Sequence, residues 1–166
     1  MTTNPTGIIF VVDAANLAAG TTAAGGLSDT ASYLHDALLA LQRQHSRGKS
    51  SKSRELPFLV AANKGDLFTA LPAPLVKAAL EGEIGRIRES RARGLAEVER
   101  VGEGLGSGEE GVREEEEALG GTTEGKFEFG VMKEWDVHVD VVGGSVTGEG
   151  ESGDVEEWWD WVAAQL

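Results

Sequence analysis

Pro57-Phe58-Leu59-Val60-Ala61-Ala62-Asn63-Lys64-Gly65-Asp66-Leu67 is the stretch on which the fold turns. From Pro57 to Ala62 it carries no charge and shows no alternation of apolar with polar residues. A strand with one wet face alternates, whereas a parallel strand covered by helices on both faces does not. Working outward, Gly7-Ile8-Ile9-Phe10-Val11-Val12-Asp13 repeats the pattern, and Val137-His138-Val139-Asp140-Val141-Val142 supplies a third strand. Between the first two, Ser28 or Asp29 can cap a helix running to about His45, with Ala31, Leu34, Leu38 and Leu41 on one stripe. Pro72 and Pro74 suit the start of a second helix, whose stripe Val76, Leu80, Ile84 and Ile87 runs to about Arg93. Gly82 and Gly85 weaken it by up to about 1 kcal/mol each relative to alanine. Asp154 with Glu157 has the spacing of a capping box and opens a last helix. Val155, Trp158, Trp159, Val162 and Leu166 are its expected buried stripe, with Trp161 to the side. The order strand–helix–strand–helix–strand–helix is that of an α/β protein with a parallel sheet.

The chain has 166 residues, enough for one core and not two. Its net charge of −13 argues against nucleic acid or an anionic membrane surface as the main partner. Cysteine is absent, so disulfides and thiolate zinc sites are excluded. No apolar run approaches the roughly 18–20 residues of a membrane-spanning helix, and the first residues are not a signal peptide. A membrane anchor, if the protein has one, is expected outside this chain.

Residues 96–125 differ in chemistry from the rest, with ten glutamates, eight glycines and two basic residues. So little apolar surface cannot offset the entropy of ordering the backbone, and the segment reads as an acidic mobile insert. Residues 1–95 and 126–166 then form one domain around it.

Asn63-Lys64-Gly65-Asp66 directly after a buried strand has the form of the guanine-recognition turn of GTPases. A carboxylate accepts two hydrogen bonds side by side, matching the ring N–H and exocyclic amine of guanine. Adenine lacks that donor pair and would leave the carboxylate unpaired. The asparagine amide can bond the base and brace neighbouring loops, and the lysine stem can cover the purine and ribose. In open parallel sheets, ligands sit where this turn lies, at the carboxyl ends of the strands. After the third strand, Gly144-Ser145-Val146-Thr147 stands where GTPases carry a Ser-Ala-Lys-like turn whose backbone N–H meets the guanine carbonyl. Ser145 keeps the serine position, while Val146 and Thr147 replace alanine and lysine. The expected guanine-binding set is therefore Asn63, Lys64, Asp66, Ser145 and Val146, with no catalytic residue and no metal ligand.

Gly48-Lys49-Ser50 is a decoy for a phosphate loop: Arg43 stands where that motif needs glycine, and the run follows a helix instead of a strand. His35 and His45 fall on or at the end of a polar helix face, and His138 sits alone on a strand. Asp13 reads as a local turn former.

With those residues placed, the chain resembles the beta subunits of the signal recognition particle receptor, a family of membrane-anchored small GTPases. The resemblance rests on residues 7–15, 57–67 and Glu83-Ile84-Gly85-Arg86-Ile87-Arg88-Glu89-Ser90-Arg91. Gly125-Lys126-Phe127-Glu128-Phe129 and the terminal stretch 155–161 complete it. It implies a three-layer α/β domain of the P-loop GTPase type, incomplete here, because in such GTPases the phosphate loop, both switch regions and the first strands precede the strand at 7–13. It implies GTP as the ligand, with magnesium only where that preceding half is present, and no hydrolysis of GTP by this chain alone. It further implies the receptor alpha subunit as partner, a role in co-translational protein targeting, and the cytoplasmic face of the endoplasmic reticulum. Two alternatives stand beside it. One is another small GTPase of the secretory pathway; the other is a non-catalytic scaffold that keeps half the fold and binds protein only.

Overall fold

The computed structural model describes residues 6–18, 26–47, 55–102, 118–121, 125–147 and 153–166, with 95–102 described by their backbone. Along the chain lie β1 (Ile8–Asp13), α1 (Leu27–Arg47), β2 (Leu56–Asn63), α2 (Ala73–Gly102), a 3₁₀ helix (Phe129–Trp135), β3 (Val137–Gly143) and α3 (Glu156–Ala163). The sheet order is β1-β2-β3. Both pairings are parallel, in registers that run from Ile8↔Phe58 to Asp13↔Asn63 and from Leu56↔Val137 to Ala62↔Gly143.

β2 is buried from Pro57 to Ala62, as the unbroken apolar run requires of a strand covered on both faces. Phe58, Val60 and Ala62 point into the main core with Ala31, Leu34 and Leu38 of α1 and Val76, Leu80 and Ile84 of α2. α3 covers the opposite face. Its Trp161 Nε1 donates to Asp140 Oδ2 at 2.8 Å, and Trp158 Nε1 donates to the Val142 carbonyl at 3.1 Å. A Cβ on Gly7 would stand 3.6 Å from the Trp161 ring, so that indole spans the sheet from β3 to the start of β1. The three layers expected from the strand pattern are therefore present.

Lys126-Phe127-Glu128-Phe129 plugs one end of the core. Phe127 and Phe129 are both buried and meet edge to face at 5.9 Å. The Phe129 N–H donates to the buried Glu81 carboxylate at 2.8 Å. The Arg88 guanidinium lies over the Phe127 ring at 5.2 Å, a cation–π contact, and burial lowers its proton affinity. The plug ends at Asp136, which adopts the left-handed region at φ 54°, and its carbonyl receives the Leu56 N–H at 2.7 Å. That bond brings the start of β2 against the start of β3.

Four expectations are corrected. First, α2 runs to Gly102, past Arg93, so the helix takes in the first residues of the acidic stretch. Second, the stretch also rejoins the core before Gly125. Leu119 is buried, and the buried Gln42 donates to the Ala118 carbonyl at 3.0 Å while accepting from Gly120 N–H at 2.9 Å. The expectation of mobility over 103–117 and 122–124 lies outside the described residues. Third, His35 is not on a polar face: it is buried in the α1 side of the core together with Gln42. Fourth, Asp154 makes no cap. The N-cap of α3 is Val155, without a side-chain hydrogen bond. Trp159 is 67% exposed and Leu166 98%, while Trp161 turns inward. At about 3.6 residues per turn, Trp158, Trp161 and Val162 share one face and Trp159 stands about 100° away from Trp158.

Leu119 gives a direct check on the second correction. Leu119→Ala should cost about 2–5 kcal/mol of stability, the usual range for emptying a buried leucine site. Urea unfolding measures it, and a midpoint equal to wild type would place Leu119 outside the cooperative core.

His35 gives a pH dependence. Burial disfavours its imidazolium; the hydrogen bond to Asp36 at 3.0 Å opposes this, and the charges of Arg91 and Arg88 reinforce it. The net effect holds the ring below its ordinary 6.5. The unfolded chain thus takes up a proton near that pH which the folded chain refuses. The stability is present above that pH and is lost as pH falls below it. Melting temperatures should drop from about pH 7.5 to about pH 5.5, and His35→Gln should flatten that slope. Equal slopes in the two proteins would refute the assignment.

Candidate functional site

The carboxyl ends of the three strands lie side by side, because the registers align Asp13 with Asn63 and Ala62 with Gly143. Each strand delivers its turn to the same edge. The Ala14 N–H donates to the Asn63 carbonyl at 3.0 Å, which joins the β1 turn to the β2 turn. The Gly144 N–H donates to the Ala62 carbonyl at 3.0 Å and the Gly65 N–H to the Gly144 carbonyl at 2.9 Å, which joins the β2 turn to the β3 turn. A Cβ on Gly65 would sit 3.1 Å from the Gly144 carbonyl oxygen, so the third position of Asn-Lys-x-Asp is held small by the neighbouring backbone.

All five expected residues fall in this one place. The Asn63 carboxamide oxygen accepts the Lys64 N–H at 2.8 Å and the Val146 N–H at 3.0 Å, so it clamps the second turn to the first. Lys64 adopts the left-handed backbone conformation at φ 66°, unusual for a residue with a side chain, and this reverses the chain at the strand end. Asp66 is exposed. The Ser145 hydroxyl, itself buried, lies within hydrogen-bond reach of both the Asp66 carboxylate and the Thr147 carbonyl. Ser145 N–H in turn donates to the Asp154 carbonyl at 2.8 Å, which connects the site to the start of α3. The Val146 amide, expected to meet a base carbonyl, donates here to Asn63. It can serve a base only by sharing its hydrogen or exchanging partners.

Sequence reasoning missed one participant. Asp13 makes the expected turn bond, accepting Ala15 N–H at 3.1 Å, and its other oxygen holds the Lys64 ammonium at 2.6 Å. Burial pulls the Asp13 carboxyl upward, but the hydrogen bond and charge of Lys64, with the amides of Ala15 and Asn16, outweigh it and keep it below its ordinary 3.8. Which strand-end side chains meet depends on the register of the parallel pair, which sequence patterns leave open. Gly48-Lys49-Ser50 lies outside the described residues. Among the described residues, no three His, Asp or Glu side chains are placed to hold a metal ion.

An Asn-Lys-x-Asp turn braced by a serine turn, on the strand ends of a helix-covered parallel sheet, defines a part of a GTPase-type α/β domain. The profile of the family described as "Signal recognition particle receptor beta subunit" matches residues 2–135, and the chain belongs to that family. It is similar to the signal recognition particle receptor subunit beta of Saccharomyces cerevisiae, 39% identical over 94 residues that make up 57% of this chain and 33% of that protein. Among solved structures it is similar to the Chaetomium thermophilum receptor SRb with GDP and magnesium. That match has TM-score 0.72 and 41% identity, covering 96% of this chain and 61% of the other. It is also similar to the SRb–GTP/SRX complex of the same organism, with TM-score 0.70 and 43% identity over 95% of this chain and 49% of the other. The chain thus spans about a third of the yeast protein and between half and two thirds of the first of these structures.

The turn that carries Ser145 has no room for a further carbon. A Cβ on Gly144 would stand 2.6 Å from the Asp154 carbonyl oxygen and 2.8 Å from the Trp158 ring. Gly144→Ala should therefore push α3 off the sheet, seen as a red-shifted tryptophan emission and a weakened near-ultraviolet dichroism signal. Unchanged spectra would show that the turn can move without α3.

Proposed function

We propose that this chain supplies the base-reading part of the GTP-binding domain of a signal recognition particle receptor beta subunit, serving protein targeting at the endoplasmic reticulum. The observation that carries the proposal is the pairing of an exposed Asp66 carboxylate with the Ser145 hydroxyl, beside an Asn63 clamp on the Val146 turn. The Ser145 hydroxyl holds one Asp66 oxygen, and the exposed carboxylate keeps acceptor capacity for the two adjacent N–H donors of guanine. Asn63 acts as brace and Lys64 as cover for the base.

The fit ends at the base. The sequence holds no Gly-x-x-x-x-Gly-Lys-Ser/Thr run, so no residues of this chain match those that cradle phosphates and magnesium in P-loop proteins. When bound beside the phosphates, magnesium would neutralise their charge; the residues of this chain contribute base selection and the joining of the strand-end turns. The relatives solved with GDP and magnesium, and with GTP and SRX, support guanine nucleotide and a receptor partner as the ligands of the complete domain. The partner is the receptor alpha subunit in this reading, and the cytoplasmic face of the reticulum its place. No helix among the described residues is long and apolar enough to cross a membrane.

Titration of the isotope-labelled chain with guanosine, xanthosine and adenosine monophosphates, followed by nuclear magnetic resonance, tests the reading. Guanosine monophosphate should shift the amides of Asn63, Lys64, Asp66 and Val146 with a dissociation constant of roughly a millimolar or weaker, about −4 kcal/mol. Adenosine monophosphate should not. Asp66→Asn should move the preference to xanthosine monophosphate, whose second carbonyl suits an amide donor. Equal responses to all three nucleotides would favour the scaffold that binds protein only.

A further inference from the structure

We propose that Asp13 is a positioning residue of the base-binding site, holding the Lys64 ammonium so that the lysine stem lies where it covers the base; the assignment rests on the guanine reading above. The geometry is specific. Lys64 Nζ meets Asp13 Oδ2 at 2.6 Å, although the two residues are 51 positions apart in sequence. Both partners are fixed at the backbone before their side chains meet. Asp13 is the last residue of β1 and stands in register with Asn63, the residue before Lys64. Its Oδ1 accepts the Ala15 N–H at 3.1 Å, and the Asn16 side-chain amide reaches Oδ2 at 3.4 Å, which hold the carboxylate at the strand end. On the other side, the left-handed φ of 66° at Lys64 turns its side chain out of the continuing strand direction, and the Asn63 carboxamide oxygen locks the Lys64 N–H at 2.8 Å.

A lysine with four rotatable bonds samples many directions when it is free, and a ligand that needs one of them must offset that lost freedom. The Lys64 side chain is 48% exposed and Asp13 27%, so the pair is half-solvated and contributes little to folding. Its effect belongs to binding: the rotamer that suits a ligand is selected in advance, which lowers the ordering cost on association. Asp13 does not touch the base in this assignment. It acts through Lys64, and reading of the base edge stays with Asp66.

The test is a double-mutant cycle on the full chain with Asp13→Asn and Lys64→Met, read as guanosine monophosphate affinity by nuclear magnetic resonance titration. Asparagine keeps an oxygen for the Ala15 N–H while presenting the lysine with no negative charge. Methionine keeps an apolar stem and leaves the contacts of Asp13 with Ala15 and Asn16 in place. Each single variant should weaken the nucleotide roughly two- to fivefold, the range of an exposed ion pair, and the double variant should be no weaker than either. Preference for guanosine over adenosine monophosphate should be unchanged in all three, because Asp66 is untouched. Wild-type affinity in Asp13→Asn, or losses that multiply in the double variant, would overturn the positioning role while leaving the guanine reading standing. A wild-type chain without guanine preference would overturn that reading, and the positioning role with it.

Discussion

The central strand is the constraint on which the structure depends. β2 has parallel neighbours on both edges and helices on both faces, so its side chains from Pro57 to Ala62 are all withdrawn from water. Its backbone groups must all be paired, which the two neighbouring strands do, and its side chains must all be apolar, which the sequence supplies. A polar residue is tolerated only where the strand leaves the layer. Asn63 is that residue, and the first polar side chain to emerge is also the brace of the site.

From this follows the placing of everything else. Parallel pairing puts all three carboxyl ends on one edge, so the turns that follow them are neighbours without any further device. The bonds Ala14 to Asn63, Gly144 to Ala62 and Gly65 to Gly144 join the turns through backbone groups that would otherwise be unpaired at the strand ends. Side chains then refine the arrangement: Asn63 clamps Val146, Ser145 orients Asp66, and Asp13 holds Lys64. The far end of the sheet is closed differently, by the Phe127 and Phe129 plug and the turn at Asp136, and the polar groups there serve packing. Glu81 is satisfied by the Phe129 amide, and Gln42 pins residues 118 and 120.

The two faces of the sheet are not equivalent. The α1 and α2 side carries nearly all the fully buried apolar residues, while the single short helix α3 covers the other with two inward tryptophans. β1 shows the asymmetry best. Val12 is buried on the α1 side, whereas Ile9 and Val11, half a pleat out of phase, are 51% and 58% exposed. The Trp161 ring of α3 reaches as far as Gly7, the residue before β1.

The amino-acid sequence by itself determined the three strands, the order of strands and α-helices and the parallel class, and it singled out five residues that the fold brings together at the strand ends. It could do so because a doubly covered strand and a 3.6-residue stripe are local patterns, and because Asn-Lys-x-Asp is contiguous. It did not determine which face of a helix turns inward where both faces carry apolar or amphipathic side chains. Trp159 and Trp161 exchanged their expected places for that reason. Gln42 proved buried because residues 118 and 120 offered it partners, and His35 because its ring bonds the neighbouring Asp36 while the rest of it is withdrawn into the core. Nor could it show that Leu119, in a segment poor in apolar residues, closes against the core, since a single leucine is buried only when a distant helix supplies the wall. The Asp13–Lys64 pair was decided by tertiary structure alone. Two residues on different strands become neighbours only when register aligns their strand ends, and register is set by the hydrogen bonding of the whole ladder.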